Sequence, residues 1–311
     1  MTDAAETIRW LLEGDPAIRW QVQRDLHGKP RRVWQAERAR TEKEGWGANL
    51  LARQDSDGGW GGGVYSPKWT STTYTLLTLC DIGLPGSNAA ARRGAAHAVD
   101  ALLGARVDAA FSRKLAELDR CIVGMMLRIG VTYGMDAARI EAIVDNLLSE
   151  RMPDAGWNCR KHRRPHPHHS SFHTTLNVLE GLREYIEHRG ARAKEAKAAE
   201  TGALELLAQH GLFRSDHTGN IIRPEFARFA FPPRWHYDAF RALDYFARVN
   251  APRDPRLGEA IELLRHKRHV DGYWRIQYRY SGQVFFDMEK RGVPSRWNTL
   301  RALRVLRWWG D

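Results

Sequence analysis

Cysteine is scarce. Cys80, Cys121 and Cys159 are the only three in 311 residues, too few and too scattered for a disulfide scaffold, which favours a reducing, cytoplasmic compartment. Long uncharged apolar runs are lacking too. The first twenty residues carry Asp3, Glu6, Arg9, Glu13, Asp15 and Arg19, so neither a signal-peptide core nor a spanning helix fits there, and no later stretch has membrane length. Peripheral contact is the one mode of membrane association left open. No alternation of Val, Ile and Thr bounded by hairpin turns argues for a sheet. Acidic residues are outnumbered, 37 against 48 Lys and Arg for a formal charge of +11, which permits an anionic partner without identifying one. The most basic stretch, Arg160-Lys161-His162-Arg163-Arg164-Pro165-His166-Pro167-His168-His169, has two prolines that break any helix and no interleaved aromatics. Nucleic acid is therefore not an expected partner, although such a loop over a cavity rim would concentrate a phosphate-bearing ligand.

Tryptophan, by contrast, is abundant, with twelve residues, and they fall in a repeat. Asp57-Gly58-Gly59-Trp60, Asp154-Ala155-Gly156-Trp157 and Asp271-Gly272-Tyr273-Trp274 share one turn pattern, and Asp216-His217-Thr218-Gly219 is a looser copy without the Trp. After each turn comes a helix start rich in Ser, Thr, Trp or His, followed by an apolar stripe beginning near Ser71, Phe172, Trp235 and Trp297. Matching Leu77, Leu179, Leu243 and Leu303 puts Thr72, Thr174, Asp238 and Asn298 at one equivalent position. The segment from Arg120 to Leu127 continues the series without a turn.

Between these lie segments of another kind. Ala89 to Leu103, Asp136 to Leu148, Ala191 to Gln209 and Pro255 to Arg265 carry apolar residues three and four apart, with charged residues on the other side, and read as helices with one solvated face. The Ser71, Cys121, Phe172, Trp235 and Trp297 helices are more continuously apolar and read as their buried partners. At the front, Asp15-Pro16 is an N-cap followed by an N1 proline, and Gly28 with Pro30 stops that helix. Alternating exposed and buried helices describe an all-α fold, an α/α toroid of about five to six hairpins. The whole of 1–311 is expected to form a single domain, with the helices of 1–30 packing on the barrel.

The segment Gln54-Asp55-Ser56-Asp57-Gly58-Gly59-Trp60 resembles the Gln-Trp repeat of squalene-hopene and oxidosqualene cyclases, and the later Gly-Trp turns are similar to those of protein prenyltransferase β subunits. The resemblance runs from about Trp46 to Trp309 and rests mainly on architecture, since only the first copy keeps the Gln. It implies an α/α toroid whose central cavity takes an apolar or isoprenoid ligand and cyclises it or transfers a prenyl group. The repetition itself points to Trp60, Trp157 and Trp274 as staples, each covering an outer-helix end with its indole N–H on a backbone partner, since a catalytic group is rarely needed once per repeat.

In such a barrel the chemistry sits where the inner helices begin, because helix N-termini favour anions. Asp238, His236 and Glu289 are the candidate catalytic residues, Asp119 a further choice of proton donor, and His173, Tyr237, Arg296, Trp297 and Asn298 the candidate ligand-binding ones. A cyclase of the resembled kind protonates an alkene or epoxide with a neutral Asp and steers cations over aromatic faces. Its Asp-x-Asp-Asp signature is absent, as is the Asp-Asp-x-x-Asp magnesium motif, so the acid here must be a substitute. Glu289 would serve as an acid oriented by Arg296, or as half of a surface salt bridge; Asp238 would serve as the acid or only as a first-turn carboxylate. Prenyltransferases hold zinc with Asp, Cys and His, and Cys159, His173, His236 and Asp238 are the corresponding candidates, although the family's Asp-x-Cys pair is missing. Two alternatives remain on the same fold: a non-catalytic binding scaffold, and a carbohydrate hydrolase or lyase with two paired carboxylates.

Overall fold

A computed structural model describes residues 4–159 and 167–311. Most of the basic loop, with His162 and His166, lies outside the described residues. Those described are 57% helix and contain no strand, so the fold class is all-α. The chain divides into two compact units. One takes the described residues of Met1–Ala52, Asp81–Pro85 and Ala208–Asp311, the other those of Arg53–Cys80 and Gly86–Leu207. The amino-terminal helices Ala4–Leu12 and Pro16–Gln21 pack on the carboxy-terminal helix Arg296–Trp309 within the first unit. Asp15 caps the second of them, accepting the Ala17 N–H at 2.9 Å ahead of Pro16.

The helices follow the apolar stripes. In the second unit, Ala89–Leu102 and Ala137–Ser149 each keep an exposed face, whereas Arg120–Tyr133 and Phe172–Glu187 are buried along most of their length. The two buried helices meet backbone to backbone. A methyl at Gly181 would stand 2.4 Å from the Gly124 carbonyl oxygen, and one at Gly124 would stand 2.7 Å from the Asn177 carbonyl. Only glycine at both positions permits this approach.

The Asp-Gly-Trp turns share one hydrogen-bond pattern. Asp55, Met152 and His269 each donate a backbone N–H to the carbonyl four residues on, and accept from the N–H three residues on. That last residue is left-handed each time: Gly58 at φ +90°, Ala155 at +73° and Gly272 at +89°. The following Trp60, Trp157 and Trp274 are fully buried. Their backbone N–H groups donate to the hydroxyls of Thr72, Thr175 and Thr299 at 3.0, 3.1 and 3.1 Å. The Trp157 and Trp274 indoles donate to the carbonyls of Leu147 and Leu264, each ten residues upstream near the end of an outer helix. The Trp60 ring packs against Gly94, where a Cβ would come within 2.2 Å of it. Trp157 and Trp274 act as staples: buried carbonyls at a helix end need donors, and the indole N–H of each turn delivers one. The Asp216–Gly219 copy folds differently, through a bridge between Arg214 and Ile221.

Candidate functional site

The inner-helix starts define the site, and their caps correct the expected register. Ser171 accepts the Thr174 N–H, Ser295 the Asn298 N–H and Asp238 the Arg241 N–H. Asp238 is therefore equivalent to Ser171 and Ser295, not to Thr174 and Asn298, and the partners of Leu243 become Leu176 and Leu300. The residues from Trp235 to Tyr237 are not helical: the helix runs Ala239–Arg248, because Pro233 and the left-handed Arg234 at φ +59° precede it and the Asp238 carboxylate is the first available cap. A shift of three residues keeps the same helix face, so the leucine spacing cannot detect it.

Asp238 is 1% exposed. Its Oδ1 accepts the Arg241 N–H at 2.7 Å, while Oδ2 has no hydrogen-bond partner. Burial raises its pKa above the ordinary value, against the opposing pull of the Arg301 and Arg241 charges and of the backbone N–H groups of Arg241 and Ala230. Arg301 is held by Asp244, its Nε 2.9 Å from Oδ2, with the guanidinium 4.3 Å from the Phe240 ring. Its Nη1 is buried and unpartnered, and so is Oδ1 of Asn298 one turn before it. Around these lie stacked rings. His236 stands 3.5 Å from Tyr280 at an interplanar angle of 3°, and 3.8 Å from Trp235. Trp297 stacks on Phe231 at 4.5 Å, and Trp46 lies 6.1 Å from both. Tyr280 senses the Asp238 and Arg241 charges, and burial drives its phenol pKa well up.

The remaining candidates have structural employment. Tyr237 is fully buried and donates its hydroxyl to the Leu212 carbonyl at 2.6 Å. Glu289 accepts the Ser295 hydroxyl and the Trp297 N–H, the latter at 3.1 Å, and so caps the Arg296–Trp309 helix. Burial raises its pKa, opposed by those hydrogen bonds. The expected side-chain pairing of Glu289 with Arg296 is not made. The Arg296 guanidinium turns instead to the Trp10 carbonyl at 2.8 Å and lies 4.5 Å over the Trp10 ring, with Glu13 at 3.8 Å; it is the Arg296 backbone N–H that serves Glu289.

The candidates for zinc are Cys159, His173, His236 and Asp238. Cys159 and His173 belong to one compact unit and His236 and Asp238 to the other. Among the described residues, no group of three or more His, Cys, Asp and Glu is placed to hold a metal ion. Cys159 instead touches Cys121 and Thr174.

No family model and no curated protein matches the chain.

The first unit therefore holds one fully buried carboxyl beside unpartnered polar atoms and rings. Asp238, His236, Trp297 and Asn298 were legible from their place ahead of, or at the start of, the apolar stripes. Arg301, Arg241 and Tyr280 were not. Arg301 and Arg241 sit within stripes that read simply as buried helix, and the one available signal was that each lies three residues after Asn298 or Asp238, on the same helix face. Among the described residues no helix is long and apolar enough to cross a membrane.

Proposed function

We propose that this protein is a terpenoid cyclase-like protein that takes up an apolar, isoprenoid ligand and protonates it with Asp238. The observation that carries this reading is the carboxyl itself: fully buried, shifted toward its neutral form, and with one oxygen lacking a partner. A neutral carboxyl has a proton to deliver, and an unpaired Oδ2 leaves a position for the acceptor. Leaving a buried polar atom unsatisfied costs about 1–3 kcal/mol, and the fold repeats this at Asn298 Oδ1 and Arg301 Nη1. The Arg301 Nη1 can donate to the polar end of a ligand, such as an epoxide oxygen or a diphosphate, and the Asn298 Oδ1 can accept from a ligand hydroxyl. The proton passes from Asp238 to an alkene or epoxide, the carbon skeleton becomes cationic, and aromatic faces stabilise that charge as it moves. Loss of a proton from carbon at the end leaves the ligand isomerised, and Asp238 regains its proton from solvent. The Gly-Trp repeat supports the same reading through its likeness to the cyclases.

The test is incubation with squalene in deuterated water, where protonation of an alkene carbon leaves a stable C–D bond, followed by mass spectrometry of the extracted product. Cyclised product carrying deuterium is expected from the wild type and none from Asp238→Asn. Tryptophan fluorescence reports ligand uptake separately. Uptake by both proteins without turnover would favour the non-catalytic scaffold. That outcome has its own support in the capping role of Asp238, which asparagine would preserve. The carbohydrate reading requires a second carboxylate free to act, and Glu289 is engaged at a helix end.

A further inference from the structure

The second unit contains a feature that the proposed function does not use. Cys121, in the second position of the Arg120–Tyr133 helix, and Cys159, two residues beyond the stapled Trp157, place their sulfur atoms 3.3 Å apart. They are 38 residues apart in the chain, and the contact is fixed from both sides. Trp157 anchors the strand-like exit of its turn to Thr175 and Leu147, and the Asn158 amide holds the backbone by accepting the Cys159 N–H at 2.8 Å and donating to the His169 carbonyl at 2.7 Å. The Thr174 hydroxyl lies 3.2 Å from the Cys159 sulfur. Both thiols are half-buried rather than sealed in the core.

We infer that Cys121 and Cys159 form a redox-active dithiol, a site for oxidation by hydroperoxides that closes reversibly to a disulfide. A disulfide bond is about 2.05 Å long, so the sulfurs need to approach by only about 1.3 Å from their 3.3 Å separation. The two thiols divide the labour. Cys121 keeps its proton, because its hydrogen bond to Cys159 and its burial push its pKa well up. The same bond, reinforced by Thr174, draws the Cys159 pKa down, which raises the fraction present as the nucleophilic thiolate. Asp119 and the Tyr65 phenol also face the pair, and the Asp119 charge acts against the thiolate.

The chemistry balances in two steps. The Cys159 thiolate attacks the O–O bond of a hydroperoxide, forming an S–O bond and a sulfenic acid, while the other oxygen leaves as an alcohol or as water after taking a proton. The Cys121 sulfur then attacks the sulfenic sulfur, the S–O bond breaks, water leaves and the S–S bond forms. The two electrons given up by the sulfurs reduce the peroxide. An external dithiol such as dithiothreitol returns both thiols.

The whole protein, folded and reduced, is treated with excess hydrogen peroxide, then denatured, alkylated with N-ethylmaleimide and mapped by peptide mass spectrometry. Two of its three thiols are expected to disappear, with a peptide linking Cys121 to Cys159, while Cys80 stays alkylated; dithiothreitol restores all three. Cys121→Ser is expected to stop at the sulfenic acid, trapped on Cys159 by dimedone, with no linked peptide. Three free thiols after peroxide, or linkage through Cys80 or between two chains, would overturn the inference. The wild-type map decides even where the Cys121→Ser chain fails to fold. None of these outcomes depends on Asp238, so this site and the proposed isomerisation stand or fall separately.

Discussion

Asp238 accepts the backbone N–H of Arg241 through one carboxyl oxygen at 2.7 Å and leaves the other buried without a partner. The residue is thus a helix cap and a buried acid at once, and the two roles respond differently to substitution. Asparagine retains the capping oxygen but carries no titrating proton. In the unfolded chain the carboxyl titrates near its ordinary 3.8, while burial holds the folded value above that. A raised folded pKa means that the native state binds more protons in this window, so stability falls as pH rises. The contribution is fully present below 3.8 and is lost as pH climbs through the folded pKa. The stability difference between wild type and Asp238→Asn, from urea denaturation at a series of pH values, is expected to shrink or change sign as pH increases from about 4. A difference that is flat across that range, or that grows with pH, would contradict the buried neutral acid.

Glu289 is shifted in the same direction by the same cause, burial, but here more hydrogen bonds oppose it. Its carboxylate gathers the Ser295 hydroxyl and the Trp297 and Arg296 N–H groups at the start of the last helix. Glu289→Gln keeps one acceptor oxygen and is expected to lose less stability than Glu289→Ala, which strands buried donors and costs about 1–2 kcal/mol. Thermal unfolding of the two variants measures this. If Glu289→Ala unfolds like the wild type, the capping assignment fails.

The tryptophan turns were readable from sequence because a left-handed residue, a short acidic side chain and a large ring are each demanded by local geometry, and local geometry recurs in sequence. Four of the five buried inner helices were readable to within a residue of their start: Thr72–Ile82, Arg120–Tyr133, Phe172–Glu187 and Arg296–Trp309. The remaining one was not, since displacement by three residues leaves its apolar face pointing the same way, and only the cap hydrogen bond distinguishes Asp238 from Trp235 as its cap. Long-range pairings were invisible for a different reason. The Cys121–Cys159 contact, between a helix and the loop after Trp157, and the approach of Arg301 to Asp238, between two helices, join residues far apart in the chain, which neither spacing nor composition encodes. The expected Glu289–Arg296 pair failed on the same ground, because Trp10, from the far end of the chain, captures the guanidinium.

Thr175 and Thr299 are the residues that tie each tryptophan turn to its inner helix. Each hydroxyl is buried and accepts the backbone N–H of the tryptophan at 3.1 Å. Valine fills nearly the same space without the acceptor, leaving a buried N–H unpaired at a cost of about 1–3 kcal/mol. Thr299→Val is therefore expected to lower the denaturation midpoint and to speed hydrogen exchange at the Trp274 amide, with Thr175→Val doing the same at Trp157. Unchanged exchange at those amides would show that the turns are held by the indole rings alone.

Ala155 occupies the left-handed position that Gly58 and Gly272 fill in the other two turns, at φ +73° against +90° and +89°. An L side chain pays about 1–2 kcal/mol there, and a glycine gives back roughly 0.5–1 kcal/mol of that through its greater freedom when unfolded. Ala155→Gly is accordingly expected to stabilise the protein by about 0.5–1 kcal/mol. The reverse substitution supplies the control. A Cβ at Gly58 would meet nothing closer than Arg93 at 3.5 Å, an ordinary contact, so Gly58→Ala tests backbone strain without a clash and should destabilise by a similar amount. Equilibrium unfolding of both variants reads the two signs. If they move in the same direction, the turns differ in more than the residue at this position, because strain alone requires opposite responses.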